Sequence, residues 1–167
     1  MVMNEVKLFG MDPAKYRPRE IPVYGVALVY RMLDSAVSKY LHKFHLSAIK
    51  FNVLAVIEFQ SPPEGISQVH ISKKLIVTAS NIARLLERMQ AEGLIERYPH
   101  KADRRIKIVR NTAKAKRIIN QVWTGYQKVI TGLAAKLPGN EQKRLSRILA
   151  AWFVSLRDQS PVSPNAR

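Results

Sequence analysis

Ser80, Asn81, Arg84 and Arg88 share one side of a helical repeat, and all four are side chains that hydrogen-bond base edges and phosphates. Arginine grips guanine and asparagine grips adenine through paired hydrogen bonds, so Arg84 and Asn81 near a helix start are suited to reading a major groove. Arg88 lies a turn deeper, placed for a phosphate or for an internal carboxylate such as Glu92. A second basic cluster follows, with Arg97, Lys101, Arg104, Arg105, Lys107, Arg110, Lys114, Lys116 and Arg117 around a single acid, Asp103. Of these, Lys101, Arg104 and Lys107 are placed to touch phosphates. His42 and His45, three residues apart, could share a metal, but no acid sits beside them to complete a site. Their place at a helix end, favoured by the helix dipole, is the simpler reading, and no metal or cofactor is expected. His70 and His100 stand alone. A Gly-rich phosphate loop and a nucleophile signature are both missing and the carboxylates are scattered, so no enzyme is expected.

The basic residues need elements to aim them. Ile82, Leu85, Leu86 and Met89 fall at i, i+3, i+4 and i+7, a buried stripe opposite Ser80, Asn81 and Arg84. Thr78 can cap this helix and is also expected among the DNA-binding residues, and Gly93 can end the helix in the left-handed conformation. Residues 94–98 and 105–109 read as strands of a hairpin whose loop is Pro99 to Arg104. A helix of this kind followed by a basic hairpin is the layout of a winged helix-turn-helix. The expected partner is double-stranded DNA.

Composition points the same way. Among 167 residues, Lys+Arg number 28 and Asp+Glu 12, a formal net charge of +16 that suits a polyanion or an anionic surface. A hydrophobic fraction of 47% is enough for a folded core. With no cysteine, disulfides, thiolate metal sites and thiol redox switches are excluded. No secretion signal is visible, and the most apolar run, residues 23–33, is interrupted by Arg31 and too short to span a bilayer. A cytoplasmic protein without a membrane partner is expected.

Residues 1–22, with Pro13, Pro18 and Pro22, read as an extended arm. A long helix follows from Val23 to about His45, with Val26, Val29, Met32, Leu33, Val37, Leu41 and Phe44 on a wide apolar face. Ser47 can cap a second helix, Ala48 to Phe59, closed by Pro62-Pro63-Glu64-Gly65. Ser67 begins a third, with Val69, Ile71 and Leu75 inward and Lys73 and Lys74 outward. Thr112 can cap a helix to about Leu137, and Asn140 a last one carrying Leu145, Ile148, Leu149, Trp152, Phe153 and Leu156. The expected fold is mainly α with a small β-hairpin wing. In it, residues 47–112 form the winged helix-turn-helix, 23–46 with 113–158 a helical dimerisation region, and 159–167 a polar tail. The apolar helices outside the winged unit call for a second copy, with Leu149, Trp152, Phe153 and Leu156 in the interface.

The chain resembles the multiple antibiotic resistance regulator (MarR) family of bacterial transcription factors from about residue 23 to 157. The family's recognition-helix pattern is matched by Thr78-Ala79-Ser80-Asn81-Ile82 through Leu85, Met89, Gly93, Leu94 and Arg97. Its wing signature is matched by Asp103-Arg104-Arg105, Ile106, Ile108 and Thr112. There are departures: Asn111 replaces the usual Leu, and Ala115 stands where Gly is common, both where the wing joins the next helix. The resemblance implies a homodimer on pseudo-palindromic operators, most often a repressor. It also implies a cleft between dimerisation helices and winged unit for a small, often aromatic or anionic effector. It makes Arg105 the wing arginine, suited to the minor groove, where negative potential is focused. Asp103 is expected to hold either Arg105 or Arg97 in a forked hydrogen bond. Lys73 is expected on the DNA backbone. Two other readings fit the charge. One is a basic nucleoid or plasmid-maintenance protein that coats DNA without regard to sequence. The other is an RNA-binding protein, which would want an aromatic stacking surface not evident here.

Overall fold

Proline at its first position pre-sets a short 3-10 turn, Pro18–Glu20, which runs directly into the first helix. The computed structural model describes residues 7, 9–10, 12, 15, 17–75, 77–100 and 102–159, with residues 18, 79, 158 and 159 described as backbone only. Half of the expected arm, and all of the expected polar tail but residue 159, therefore fall outside the described residues. Where the arm is described near its end it is helical, because helix α1 spans Ile21–His42. Two units are formed, Met1–Gln127 and Lys128–Arg167.

In the first unit, α1 ends at His42, short of the expected His45, and a turn follows in which His45 takes a positive φ of 55° and the Leu46 N–H returns to the Leu41 carbonyl at 3.3 Å. Helix α2, Ala48–Gln60, starts on Ser47, whose Oγ accepts the Lys50 N–H at 3.4 Å. The turn after it closes at Gly65, with φ of 97°; a Cβ there would stand 2.7 Å from the Val109 carbonyl oxygen. Only glycine tolerates that conformation and that approach together. The turn feeds a short strand absent from the sequence expectation, β1 (Ile66–Ser67), and helix α3 (Gln68–Leu75) begins after it rather than at Ser67. Ile71 is buried as expected, but Val69 is 55% exposed, because α3 is short and turns only one narrow face inward.

Helix α4 spans Ala79–Ala91 with Thr78 as its cap, the Oγ1 accepting the Asn81 N–H at 3.4 Å. Gly93 has φ of 68°, and the Gly93 and Leu94 N–H groups bond to the Gln90 and Met89 carbonyls, each at 2.9 Å. This pair of bonds satisfies the helix's last carbonyls before the chain turns into a strand. Strand β2 is Ile95–Pro99 and β3 is Lys107–Asn111, antiparallel, with Ile95 opposite Asn111 and Arg97 opposite Val109. The second strand starts two residues later than expected. Arg105 and Ile106 belong to the turn, where Asp103 accepts the Arg105 N–H and the Asp103 carbonyl accepts the Ile106 N–H. β1 pairs with β3, so the sheet order is β1-β3-β2.

Helix α5, Ala113–Ala134, starts on Thr112, whose Oγ1 accepts the Ala115 N–H at 3.2 Å. Its first half is buried at Ala115, Ile119 and Val122 in the same core as Phe51, Leu54, Ile71, Ile82, Leu86, Met89, Ile95 and Val109. Gly125 lets Tyr40 of α1 approach α5, and the Tyr40 hydroxyl donates to the Val122 carbonyl at 2.9 Å. The apolar face of α1 is largely uncovered within the chain: Val26, Val29, Met32 and Leu33 are all exposed, Met32 at 74%.

The second unit contains the end of α5 and helix α6, Gly139–Gln159. Asn140 lies inside the first turn and bonds Glu141, so it is not the cap expected of it. The turn is closed instead by Gln142, whose Nε2 donates to the Ala134 and Leu137 carbonyls at 3.0 and 2.7 Å. Along α6, Leu145, Ile148, Leu149, Phe153 and Leu156 are exposed and Trp152 is half-buried. Among the described residues no helix is long and apolar enough to cross a membrane.

Candidate nucleic-acid interface

Burial divides α4 cleanly. Ile82, Leu85, Leu86 and Met89 are 6% exposed or less, while Ser80, Asn81, Arg84 and Arg88 are exposed. The inward stripe anchors the helix, so its polar side is presented rigidly. Asn81, Arg84 and Arg88 also flank a shallow cleft of about 240 Å³ floored by Ile49 and Leu85. The Thr78 hydroxyl is occupied by the cap and lies 3.3 Å from the Ser80 hydroxyl.

Arg88 does not take Glu92 as its partner. Glu92 is held by Lys50 of α2, whose Nζ lies 2.6 Å from both carboxylate oxygens, and Lys114 Nζ donates to the Glu92 carbonyl at 2.8 Å. These two lysines tie the far end of α4 to α2 and α5, which leaves Arg88 facing outward. Sequence periodicity gives no sign of this, because the partners lie 42 and 22 positions apart.

The wing is organised by side chains on both its edges. Asp103 accepts three bonds from Arg105, from the backbone N–H at 3.0 Å, from Nε at 3.1 Å and from Nη2 at 3.2 Å. The fork fixes a guanidinium that is otherwise 92% exposed. Those bonds hold the Asp103 carboxyl below the usual carboxylate range, with the nearby His100 adding a smaller effect of the same sign. Arg97, the other arginine expected for Asp103, instead donates to Gln68 Oε1 at 3.3 Å and joins β2 to α3. Arg110 Nε donates to the Glu64 carbonyl at 2.8 Å, and its guanidinium lies 5.7 Å from the Tyr98 ring centroid. Tyr98 donates to Glu96, which raises the phenol above its ordinary range. Arg104 and Lys107 are exposed on the tip and on β3, as is Lys73 on α3; Lys101 lies outside the described residues.

Asn111 is where the wing meets α2. It is 8% exposed, and its Nδ2 donates to the Leu54 carbonyl at 3.0 Å and to Glu58 Oε2 at 2.9 Å. Its Oδ1 is buried without a partner among the described residues. Nearby, Phe51, Phe59, Trp123 and Tyr126 form an aromatic cluster, with Phe59 and Trp123 centroids 4.3 Å apart. Among the described residues, no three His, Cys, Asp or Glu side chains come together as a metal site.

A short sheet, a capped helix with a polar outer face and a basic hairpin form an arrangement already known in other proteins. Residues 46–106 match the sequence profile of the MarR family. The chain is 31% identical over 91 residues to the HTH-type transcriptional regulator PecS of Dickeya dadantii, a match covering 54% of this chain and 55% of that protein. It is 26% identical over 147 residues to the HTH-type transcriptional repressor IacR of Pseudomonas putida, covering 87% of this chain and 86% of that one. It superposes on a mutant of MarR from E. coli in complex with operator DNA with a TM-score of 0.69. That match has 26% identity and covers 75% of this chain and 89% of the other. These relatives are named as regulators, and none as an enzyme. The chain is thus similar over residues 46–106 to the MarR family, and over most of its length to a transcriptional repressor and to MarR from E. coli.

Proposed function

We propose that the chain is a dimeric, sequence-specific DNA-binding regulator, acting as a repressor that a small ligand releases. The observation that carries this is α4, a helix whose buried stripe leaves Ser80, Asn81 and Arg84 outward beside a wing bearing Arg104, Arg105 and Lys107. In this reading Arg84 and Asn81 contact base edges, and Lys73, Lys101, Arg104 and Lys107 contact phosphates. Arg105, held by Asp103, enters the minor groove. The operator DNA of the E. coli relative supports the same partner here. Two reading heads would enter successive major grooves about one helical turn apart. The exposed apolar residues of α1, together with Leu149, Trp152, Phe153 and Leu156 of α6, are the faces that a second copy covers. A ligand favouring a head spacing that no longer matches the duplex weakens binding through its differential affinity for the two states.

The test is a comparison of Arg84→Ala and Lys73→Ala on a genomically mapped binding site and on random DNA. Arg84→Ala is expected to cost roughly 1–3 kcal/mol per half-site on the specific site and to relax preference at one base pair. Lys73→Ala is expected to weaken both DNAs alike and to reduce the salt slope by about one unit. If Arg84→Ala acts equally on specific and random DNA, the chain is instead a coat protein indifferent to sequence.

A further inference from the structure

The shallow cleft beside α4 sets an apolar floor among side chains suited to DNA. Asn81, Leu85 and Arg88 run down one side of α4, and the residue that lines the cleft from α2 is Ile49. Ile49 is 38% exposed, an apolar surface beside the guanidiniums of Arg84 and Arg88. Its position is fixed from two directions. Ser47 starts α2 two residues earlier, its Oγ accepting the Lys50 N–H at 3.4 Å, and Lys50 Nζ lies 2.6 Å from both Glu92 carboxylate oxygens. Glu92 follows Arg88 by one helical turn, so the Lys50–Glu92 pair holds the start of α2 along the Arg88 side of α4. Among the described residues lining the cleft, none is Asp or Glu. At about 240 Å³ the cleft is smaller than the range of about 300–1,000 Å³ usual for sites that enclose a free small molecule. Its rim suits a polyanion, and its floor suits one small apolar group carried by that polyanion.

We propose that Ile49 reads the C5-methyl group of a thymine in the bound operator, which makes α2 a second reading element beside α4. Among the four bases of DNA only thymine presents a methyl group in the major groove, and apolar side chains recognise it. The same A·T pair presents adenine N6 and N7, the two atoms that an asparagine amide grips. Asn81 and Ile49 line one cleft, so a single A·T pair is read on both of its bases, adenine by Asn81 and thymine by Ile49 over Leu85. Arg84 and Arg88 on the rim supply the positive charge that draws the duplex onto the floor. Seating the methyl group removes both it and Ile49 from water, a gain that uracil does not offer. The inference rests on the regulator reading above and adds to it a specificity-determining residue outside the recognition helix.

The experiment measures binding of the full chain, by fluorescence anisotropy, to a genomically mapped site and to copies in which deoxyuridine replaces each thymine in turn. Deoxyuridine keeps every hydrogen-bonding atom of thymidine and lacks only the methyl group. At one position the native chain is expected to lose about fourfold in affinity per half-site, the worth of one buried methyl group. Ile49→Ala is expected to lose a similar factor on the thymine site, to bind thymine and uracil there alike, and to bind random DNA as the native chain does. Ile49→Val keeps a branched apolar side chain and is expected to retain most of the distinction. Ile49 is exposed at the second position of α2, where alanine is a good helix former, and thermal melts check that the variants fold. The base substitution also tests the native chain with no variant at all. A mapped site with no thymine that responds, a uracil penalty of equal size in Ile49→Ala, or an equal loss by Ile49→Ala on random DNA each overturns the proposal. If the native chain still prefers the mapped site to random DNA, the regulator reading stands despite that failure. A native chain that binds both DNAs alike overturns the regulator reading and this inference with it.

Discussion

Replacing Asn111 by Asp exchanges one NH2 group for one oxygen and leaves the shape almost unchanged. In the native chain that NH2 group bridges the Leu54 carbonyl and the Glu58 carboxylate at 3.0 and 2.9 Å, in a site 8% exposed. In Asn111→Asp an ionised carboxylate would face two oxygens at that range and lose both bonds, one of them to a charged group. Leaving a buried charge uncompensated costs roughly 3–5 kcal/mol. The protein has another way out, which is to bind a proton between the new carboxyl and Glu58 and restore a donor. Protonating an ordinary carboxylate at pH 7 costs about 4 kcal/mol, and at pH 5 only about 1.5 kcal/mol. The destabilisation therefore saturates near 4 kcal/mol at pH 7 and shrinks as the pH falls. The sign follows from linkage: the folded state holds one more proton than the unfolded state, so the variant loses about 1.4 kcal/mol of relative stability per unit rise in pH. Urea unfolding of native and variant chains at pH 5, 6 and 7, at one protein concentration, reads this directly. Asn111→Leu carries no charge and is expected to show no such slope. A variant as stable as the native chain at pH 7, or a deficit equal at pH 5 and 7, would refute the bridge between wing and α2.

Gly125→Ala should raise intrinsic helix propensity by about 1 kcal/mol yet destabilise the chain. A Cβ there stands 2.7 Å from Tyr40 Cζ, and separating α1 from α5 costs typically 1–3 kcal/mol of overpacking plus the Tyr40–Val122 bond; thermal unfolding alongside Tyr40→Phe checks it. Asp103→Ala removes an acid beside phosphates, so charge alone predicts tighter operator binding, but loss of the fork on Arg105 is expected to weaken it several-fold, with Arg105→Ala weaker still and the double variant less than additive; a tighter complex at moderate salt would refute the fork's role. Because Arg105 depresses the Asp103 carboxyl, the fork is intact at neutral pH and above the ordinary carboxylate range, and is lost only as the pH falls through the lowered folded value. The Asp103-dependent part of operator affinity should therefore be the same at pH 7 and pH 5.5, which fluorescence anisotropy can follow. Truncation after Pro138 removes the exposed apolar face of α6 and is expected to yield monomers or aggregates with weak operator affinity; a sedimenting dimer of unchanged affinity would show that the interface lies elsewhere.

The sequence by itself determined the elements whose signals are local. The stripe of Ile82, Leu85, Leu86 and Met89, the Thr78 cap and the left-handed Gly93 need only a helical period and the chemistry of helix ends, and all stand as read. The Asp103 fork was legible only as a choice between Arg105 and Arg97; the structure has Arg105, two residues away, on Asp103 and Arg97 on Gln68. Tertiary structure decided what depends on distant chain. The strand at Ile66–Ser67 is too short to carry a period and exists because Gly65 lets the backbone approach Val109. Glu92 goes to Lys50 rather than to Arg88 in its own helix because folding brings α2 alongside it. Asn111 could be seen to depart from the family, but its buried bridge to Leu54 and Glu58 joins residues more than fifty positions apart. His70 and His100 gave no signal singly; the wing folds over α3, and only that contact puts both on one cleft. Hydrophobic and hydrogen-bonding periods report what a segment needs, whereas partners are chosen by the packing of the whole chain.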